Sequence, residues 1–116
     1  MPRLPEAEFA VIDERKIIDY LLANIHPAGR GKAAFFRGFG FEPAAWQLLR
    51  DALLQQARGA RNVRIIETEF GQKYILEAPL PTPSGRRPRV RTVWFVRKGE
   101  TRPRFVTAYA ARGADR

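Results

Sequence analysis

Hydrophobic positions in the first half of the chain recur at steps of three and four. After Asp13, the residues Ile17, Ile18, Leu21, Leu22 and Ile25 fall on one face of a helix. Asp13 suits the N-cap, where a carboxylate accepts a backbone N–H that has no partner inside the helix. The spacing predicts a first helix over residues 13–24. The stretch His26-Pro27-Ala28-Gly29-Arg30-Gly31 stops it, since proline and two glycines favour a shaped loop. Residues 32–37 read as a short second helix ended by Gly38 and Gly40. Pro43 fits the first position of a third helix, where its missing N–H costs nothing. Trp46, Leu49 and Leu53 carry that helix's apolar face over residues 43–58, and Gly59 suits its C-terminal cap. Phe35, Phe36, Phe39 and Phe41 are expected in the core.

From Val63 the period changes to two. Strands are expected over 63–68, 73–78, 90–97 and 104–109, with Gly71 between the first pair. The segment 79–89 is rich in proline and glycine, and Pro83-Ser84-Gly85-Arg86 suits a hairpin tip. Residues 90–97 form the clearest strand, rich in β-branched and aromatic types. In it Val90, Thr92, Trp94 and Val96 face one way, and Arg91, Val93, Phe95 and Arg97 the other. Plain alternation puts Phe105, Thr107 and Tyr109 on one face of the last strand. Both faces carry apolar residues, so at least one strand is expected to be covered on both sides at its centre. Helices first, then strands on short connections, predict an α+β fold. About three N-terminal helices should pack on one face of a C-terminal antiparallel sheet of about four strands. The expectation is a single domain over 1–116, with an ordered core of about 4–109 and a polar tail at 110–116.

Charge changes the picture more than composition does. The 116 residues are 45% hydrophobic and 28% charged, which is a globular balance. The formal net charge is +9, which favours encounters with polyanions such as nucleic acid or acidic proteins. The chain has no cysteine and one histidine, so disulfides, thiolate metal sites and multi-histidine metal sites are excluded. No metal and no cofactor is expected. The first residues lack the pattern of a secretory signal, and no apolar run approaches the ~20 residues that cross a bilayer. A cytoplasmic protein with no membrane partner is expected.

Two clusters could carry chemistry. In the first, His26 and Lys32 flank Gly29, Arg30 and Gly31. A glycine-containing loop that runs into a helix can offer backbone N–H groups to a phosphate. A lysine at a helix start opposes the helix dipole, a placement that an anion nearby would relieve. In the second, Arg91, Thr107 and Tyr109 stand near strand ends, with Thr92 beside them as a further phosphate contact. The plainer reading of both is a capped turn and ordinary strand-forming residues. There is no Walker A or dinucleotide fingerprint, and the one serine, Ser84, lies in the hairpin tip.

Several segments together carry a family resemblance. They are Leu4-Pro5-Glu6-Ala7-Glu8, Val11-Ile12-Asp13, Tyr20-Leu21-Leu22 and His26-Pro27-Ala28-Gly29-Arg30-Gly31-Lys32-Ala33. Later come Gly71-Gln72-Lys73-Tyr74, Pro83-Ser84-Gly85-Arg86, Val90-Arg91-Thr92-Val93-Trp94 and Val106-Thr107-Ala108-Tyr109. In that order and spacing they resemble a bacterial domain family of uncharacterised function. Its members occur as small free-standing proteins and as C-terminal toxin domains of larger effectors. The helices-then-sheet plan also resembles the barnase–EndoU–colicin–RelE group of metal-independent ribonucleases, an analogy at the level of fold.

That resemblance implies a toxin-like endoribonuclease, checked by an acidic antitoxin or immunity protein and, where it forms part of a larger effector, delivered to neighbouring cells. A base would take the proton from a ribose 2′-OH, and that oxygen would attack the adjacent phosphorus. An acid would protonate the leaving 5′-oxygen. His26 is the natural acid or base, with an ordinary pKa near ~6.5. Lys32 and Arg91 would hold the phosphate, and Thr107 and Tyr109 would position the backbone. The alternatives are a non-catalytic nucleic-acid-binding module and a protein-interaction module.

Overall fold

In a computed structural model, the described residues are 4–22, 30–61 and 63–111. Asp13 caps the first helix as expected, accepting from the Arg15 backbone N–H at 2.9 Å. The helix α1 spans Glu14–Lys16 and widens at once into a π-turn over Ile17–Leu21, closed by Leu22 N–H to Ile17 O at 2.9 Å. Helix α2 runs Arg30–Gly38. Pro43 opens a turn of 3-10 helix over Pro43–Ala45 that leads into α3, Trp46–Gly59.

Four strands follow: β1 Arg64–Thr68, β2 Gly71–Pro79, β3 Arg89–Arg97 and β4 Arg104–Ala110. They form an antiparallel sheet in the order β1-β2-β3-β4, so each strand pairs with its neighbour in sequence. Val11 lies alongside the start of β4, exchanging backbone hydrogen bonds with Pro103 and Phe105. No helix among the described residues is long and apolar enough to cross a membrane.

One cluster of buried side chains joins the helices to one face of the sheet. Leu49, Ala52, Leu53 and Ala57 of α3, Phe36 of α2 and Leu21 and Leu22 meet Tyr74, Leu76, Val90, Trp94, Phe105 and Ala108. Phe36 and Phe41 are fully in this core, Phe35 packs at its margin, and Phe39 lies edge-on to Phe35.

Gln56 is buried among these apolar groups, and every polar atom it brings is answered. Its Nε2 donates to the carbonyls of Ala78 and Val90 at 2.8 and 2.9 Å, tying α3 to β2 and β3. Its Oε1 accepts from Thr92 Oγ1 at 3.1 Å, and that hydroxyl accepts from Trp94 Nε1 at 3.1 Å. A satisfied network of this kind fixes the helix on the sheet, and leaving any member unpaired is expensive.

The β1–β2 turn shows why Gly71 stands where it does. Its φ of +148° is in the region glycine prefers, and a side chain there would strike the Val96 carbonyl of β3. Thr68 Oγ1 donates to the Gly71 carbonyl at 2.8 Å and accepts from the Phe70 N–H at 3.2 Å.

The centre of β3 is buried on both faces, as expected: Trp94 lies in the core, and Val93, on the other side between Ile75 of β2 and Thr107 of β4, is buried as well. One expectation from the sequence is corrected: Phe105, Thr107 and Tyr109 do not share a face. A bulge places Val106 as an extra residue in β4, so Phe105 pairs with Trp94 while Thr107 pairs with Val93. Two residues of β4 thus oppose one step of β3, and the alternation flips at that point.

Candidate functional site

The register of the sheet lays the open face out in rows. One row holds Glu77 of β2, Arg91 of β3 and Tyr109 of β4, each directly opposite the next. The following row holds Arg64, Ile75, Val93 and Thr107. Arg91, Thr107 and Tyr109, expected to act together, therefore do lie on one surface. The bulge at Val106 turns Thr107 and Tyr109 onto it while Phe105 stays in the core against Trp94, ring centroids 5.4 Å apart.

Arg91 is held from both sides. Its Nε and Nη2 lie 2.9 and 2.7 Å from the same Glu77 oxygen, Oε1. Its guanidinium carbon is 5.9 Å from the centre of the Tyr109 ring. Hydrogen bonding to Tyr109, and then to Glu77, pushes the guanidinium pKa up from its ordinary value. The pair is partly exposed, so it contributes only ~0–1 kcal/mol to stability. Its consequence is geometric: a long side chain is fixed in one place with its charge intact.

Arg64, Ile75, Glu77, Arg89 and Arg91 line a depression of about 260 Å³ on this face. Three arginines and one glutamate line it, so the depression carries excess positive charge. Guanidinium forks match the oxygens of a phosphate. Glu77 adds a proton acceptor among them. Among the described residues no three acidic or imidazole side chains are grouped as metal ligands.

The other expected site residues are placed differently. His26 and Gly29 lie outside the described residues. Arg30, Gly31 and Lys32 form the first turn of α2, a helix that packs against β4 and the π-turn. Thr92 is corrected: it is fully buried on the helix-facing side of β3, hydrogen bonded to Gln56 and Trp94, and presents nothing to a phosphate. Its neighbours in the alternation, Val90 and Trp94, are core residues, and Thr92 shares their face.

Glu77, Arg64 and Arg89 were not among the residues singled out from the sequence. Glu77 is fourteen residues from Arg91 and meets it only through the β2–β3 register. Its alternation with Ile75 and Lys73 on the open face is the one signal the sequence carries.

The fold is similar to that of a chain in a solved contact-dependent growth inhibition toxin–immunity protein complex from Klebsiella pneumoniae 342. The likeness has a TM-score of 0.72 at 22% identity and covers 92% of this chain and 97% of that one. No curated protein matches the chain. The family model for a domain of unknown function, DUF6883, matches residues 3–112. That match takes in the helices, the whole sheet and the arginine-lined depression, and on it the protein belongs to the DUF6883 family.

Proposed function

We propose that the protein is a toxin-like, metal-independent endoribonuclease whose substrate backbone lies across the open face of the sheet. The observation that carries this reading is Arg91, fixed between Glu77 and Tyr109 in a depression that two further arginines line. A phosphodiester placed there meets guanidinium donors on several sides. These stabilise the added charge of a five-coordinate phosphorus, which is the part of the reaction the protein must supply. Glu77 faces the same space and can accept the 2′-OH proton as that oxygen attacks phosphorus. His26 is the second proton-transfer group, and donates to the departing 5′-oxygen. Atoms balance: the P–O2′ bond forms and the P–O5′ bond breaks, Glu77 gains the 2′-OH proton, protonated His26 gives a proton to the 5′-oxygen, and exchange with water restores both side chains. The product carries a 2′,3′-cyclic phosphate. Thr107 and Tyr109 position the backbone beside Arg91, and Lys32, with Arg30 and the glycines of its loop, adds phosphate contacts.

An acidic immunity or antitoxin protein is the second part of the proposal. The charge of +9 supports it, as does the fold's likeness to a chain from a toxin–immunity complex. The same likeness supports action in a neighbouring cell.

The test is incubation of purified protein with total bacterial RNA in EDTA, beside Arg91→Ala. Cleavage by the parent that falls by ~100-fold or more in the variant is expected, the usual scale for losing one charge-stabilising group. Binding without cleavage by the parent, across a broad pH range, leaves a nucleic-acid-binding module in its place.

A further inference from the structure

The open face continues beyond the Arg91 depression. Lys73 of β2, Phe95 of β3 and Arg104 of β4 are direct cross-strand neighbours. Their side chains share the face that carries Arg91, four residues along β3, or ~13 Å at the usual rise of a strand. Arg97, two residues further on the same side, is exposed. Phe95 is half-buried and points away from the core that holds Trp94, Phe105 and Tyr74. The row thus sets an aromatic ring between a lysine and an arginine on the side of the sheet opposite the core cluster.

We propose that Lys73, Phe95 and Arg104 form a base-stacking subsite for single-stranded RNA whose backbone runs on over Arg91. The proposal rests on the reading that RNA is what this face takes. One base lies on the Phe95 ring, and the phosphates on its two sides meet Lys73 and Arg104. Ring stacking combined with a cationic track is how proteins hold single strands without reading their sequence. Arg104 stands 3.5 Å from Glu100 in an exposed pair. Such pairs are weak, so a phosphate displaces the carboxylate at little cost. Acidic protein would meet the same charges, but a ring bracketed by cations matches the alternation of base and phosphate.

The experiment measures binding by fluorescence anisotropy, with uncleavable 2′-O-methyl oligoribonucleotides of about ten nucleotides and abasic strands of equal length. The parent should prefer the base-containing strand by about 5- to 100-fold, the factor that stacking on one ring commonly contributes. Phe95→Leu, checked for a cooperative melt, should erase that preference, and Phe95→Trp should keep it with quenching of the new indole. If Phe95→Leu fails to fold, Lys73→Ala with Arg104→Ala should lower the slope of log affinity against log salt by about 1.4, the single-strand value for two lost phosphate contacts. A Phe95→Leu protein that still prefers bases overturns the subsite, as does an unchanged salt slope in the double variant. So does a loss confined to polyglutamate binding, which would mark a protein interface. Because these strands cannot be cleaved, the outcome is independent of whether the parent cuts RNA.

Discussion

Phe105 and Thr107 stand two residues apart in one strand and point to opposite faces of the sheet. Phe105 packs edge-on against Trp94 in the core, and Thr107 lies beside Val93 on the open side. Val106 between them is the residue that makes this possible. Without it, β4 could bury Phe105 or present Thr107 and Tyr109 beside Arg91, but not both. Bulges that re-aim side chains beside a working surface are common.

Deletion of Val106 should therefore force a loss on one side. Either Phe105 leaves the core, which costs on the scale of ~3–5 kcal/mol and is read as a fall in melting temperature, or RNA binding by the open face is lost. A deletion variant that melts and binds like the parent would contradict this account of the bulge.

Arg91 and Glu77 give a second prediction. Arg91→Lys keeps the charge and gives up the planar fork that reaches Glu77 through two nitrogens. RNA cleavage should fall ~10-fold or more, while the melt moves by less than ~1 kcal/mol because the pair is partly exposed. Glu77→Gln should also reduce cleavage, yet RNA binding should tighten or hold as the depression loses the one carboxylate that lines it among the described residues. Equal losses of binding and cleavage in Glu77→Gln would argue against its role as proton acceptor.

Thr92 should behave as a core residue. Thr92→Val keeps the shape and removes the hydroxyl that accepts from Trp94 and donates to Gln56. A loss of ~1–3 kcal/mol in denaturant unfolding is expected, the cost of leaving buried polar groups unpaired. RNA affinity of the folded variant should equal that of the parent. A selective loss of RNA affinity would return Thr92 to the binding surface.

Tyr74 predicts a pH dependence. Burial, and then the nearby Glu67 carboxylate, push its phenol pKa up from the ordinary 10.0. The folded state thus holds the proton more tightly than the unfolded chain. The resulting stabilisation is complete below pH 10.0 and is lost as pH rises through the higher folded value. Melting temperatures of the parent should drop above about pH 10 more steeply than those of Tyr74→Phe. Parallel curves would contradict the assignment.

The element order was legible because helical and strand periods are separated along the chain. Asp13 as a cap, Pro43 as a helix opener and the strand at 90–97 all follow from local chemistry, and the structure places them there. Gln56 was also within reach, since it follows Leu49 and Leu53 on the same helical face. The site was only partly legible. Arg91, Thr107 and Tyr109 share a surface, but the face of β4 depends on an extra residue that local pattern does not reveal. Glu77, Arg64 and Arg89 join them only through cross-strand register, which is set by the whole sheet. Thr92 was misread because its residue type outweighed its alternation with Val90 and Trp94.

The most direct test of the central claim uses RNA that carries a single 2′-deoxy sugar at the mapped cleavage position, incubated with the parent in EDTA. The account predicts cleavage of the all-ribose strand to a 2′,3′-cyclic phosphate end, no cleavage at the deoxy position, and loss of activity in His26→Ala. Cleavage that persists at the deoxy position, or that leaves only 5′-phosphate ends, would contradict attack by the 2′-oxygen and with it the proposed chemistry of this face.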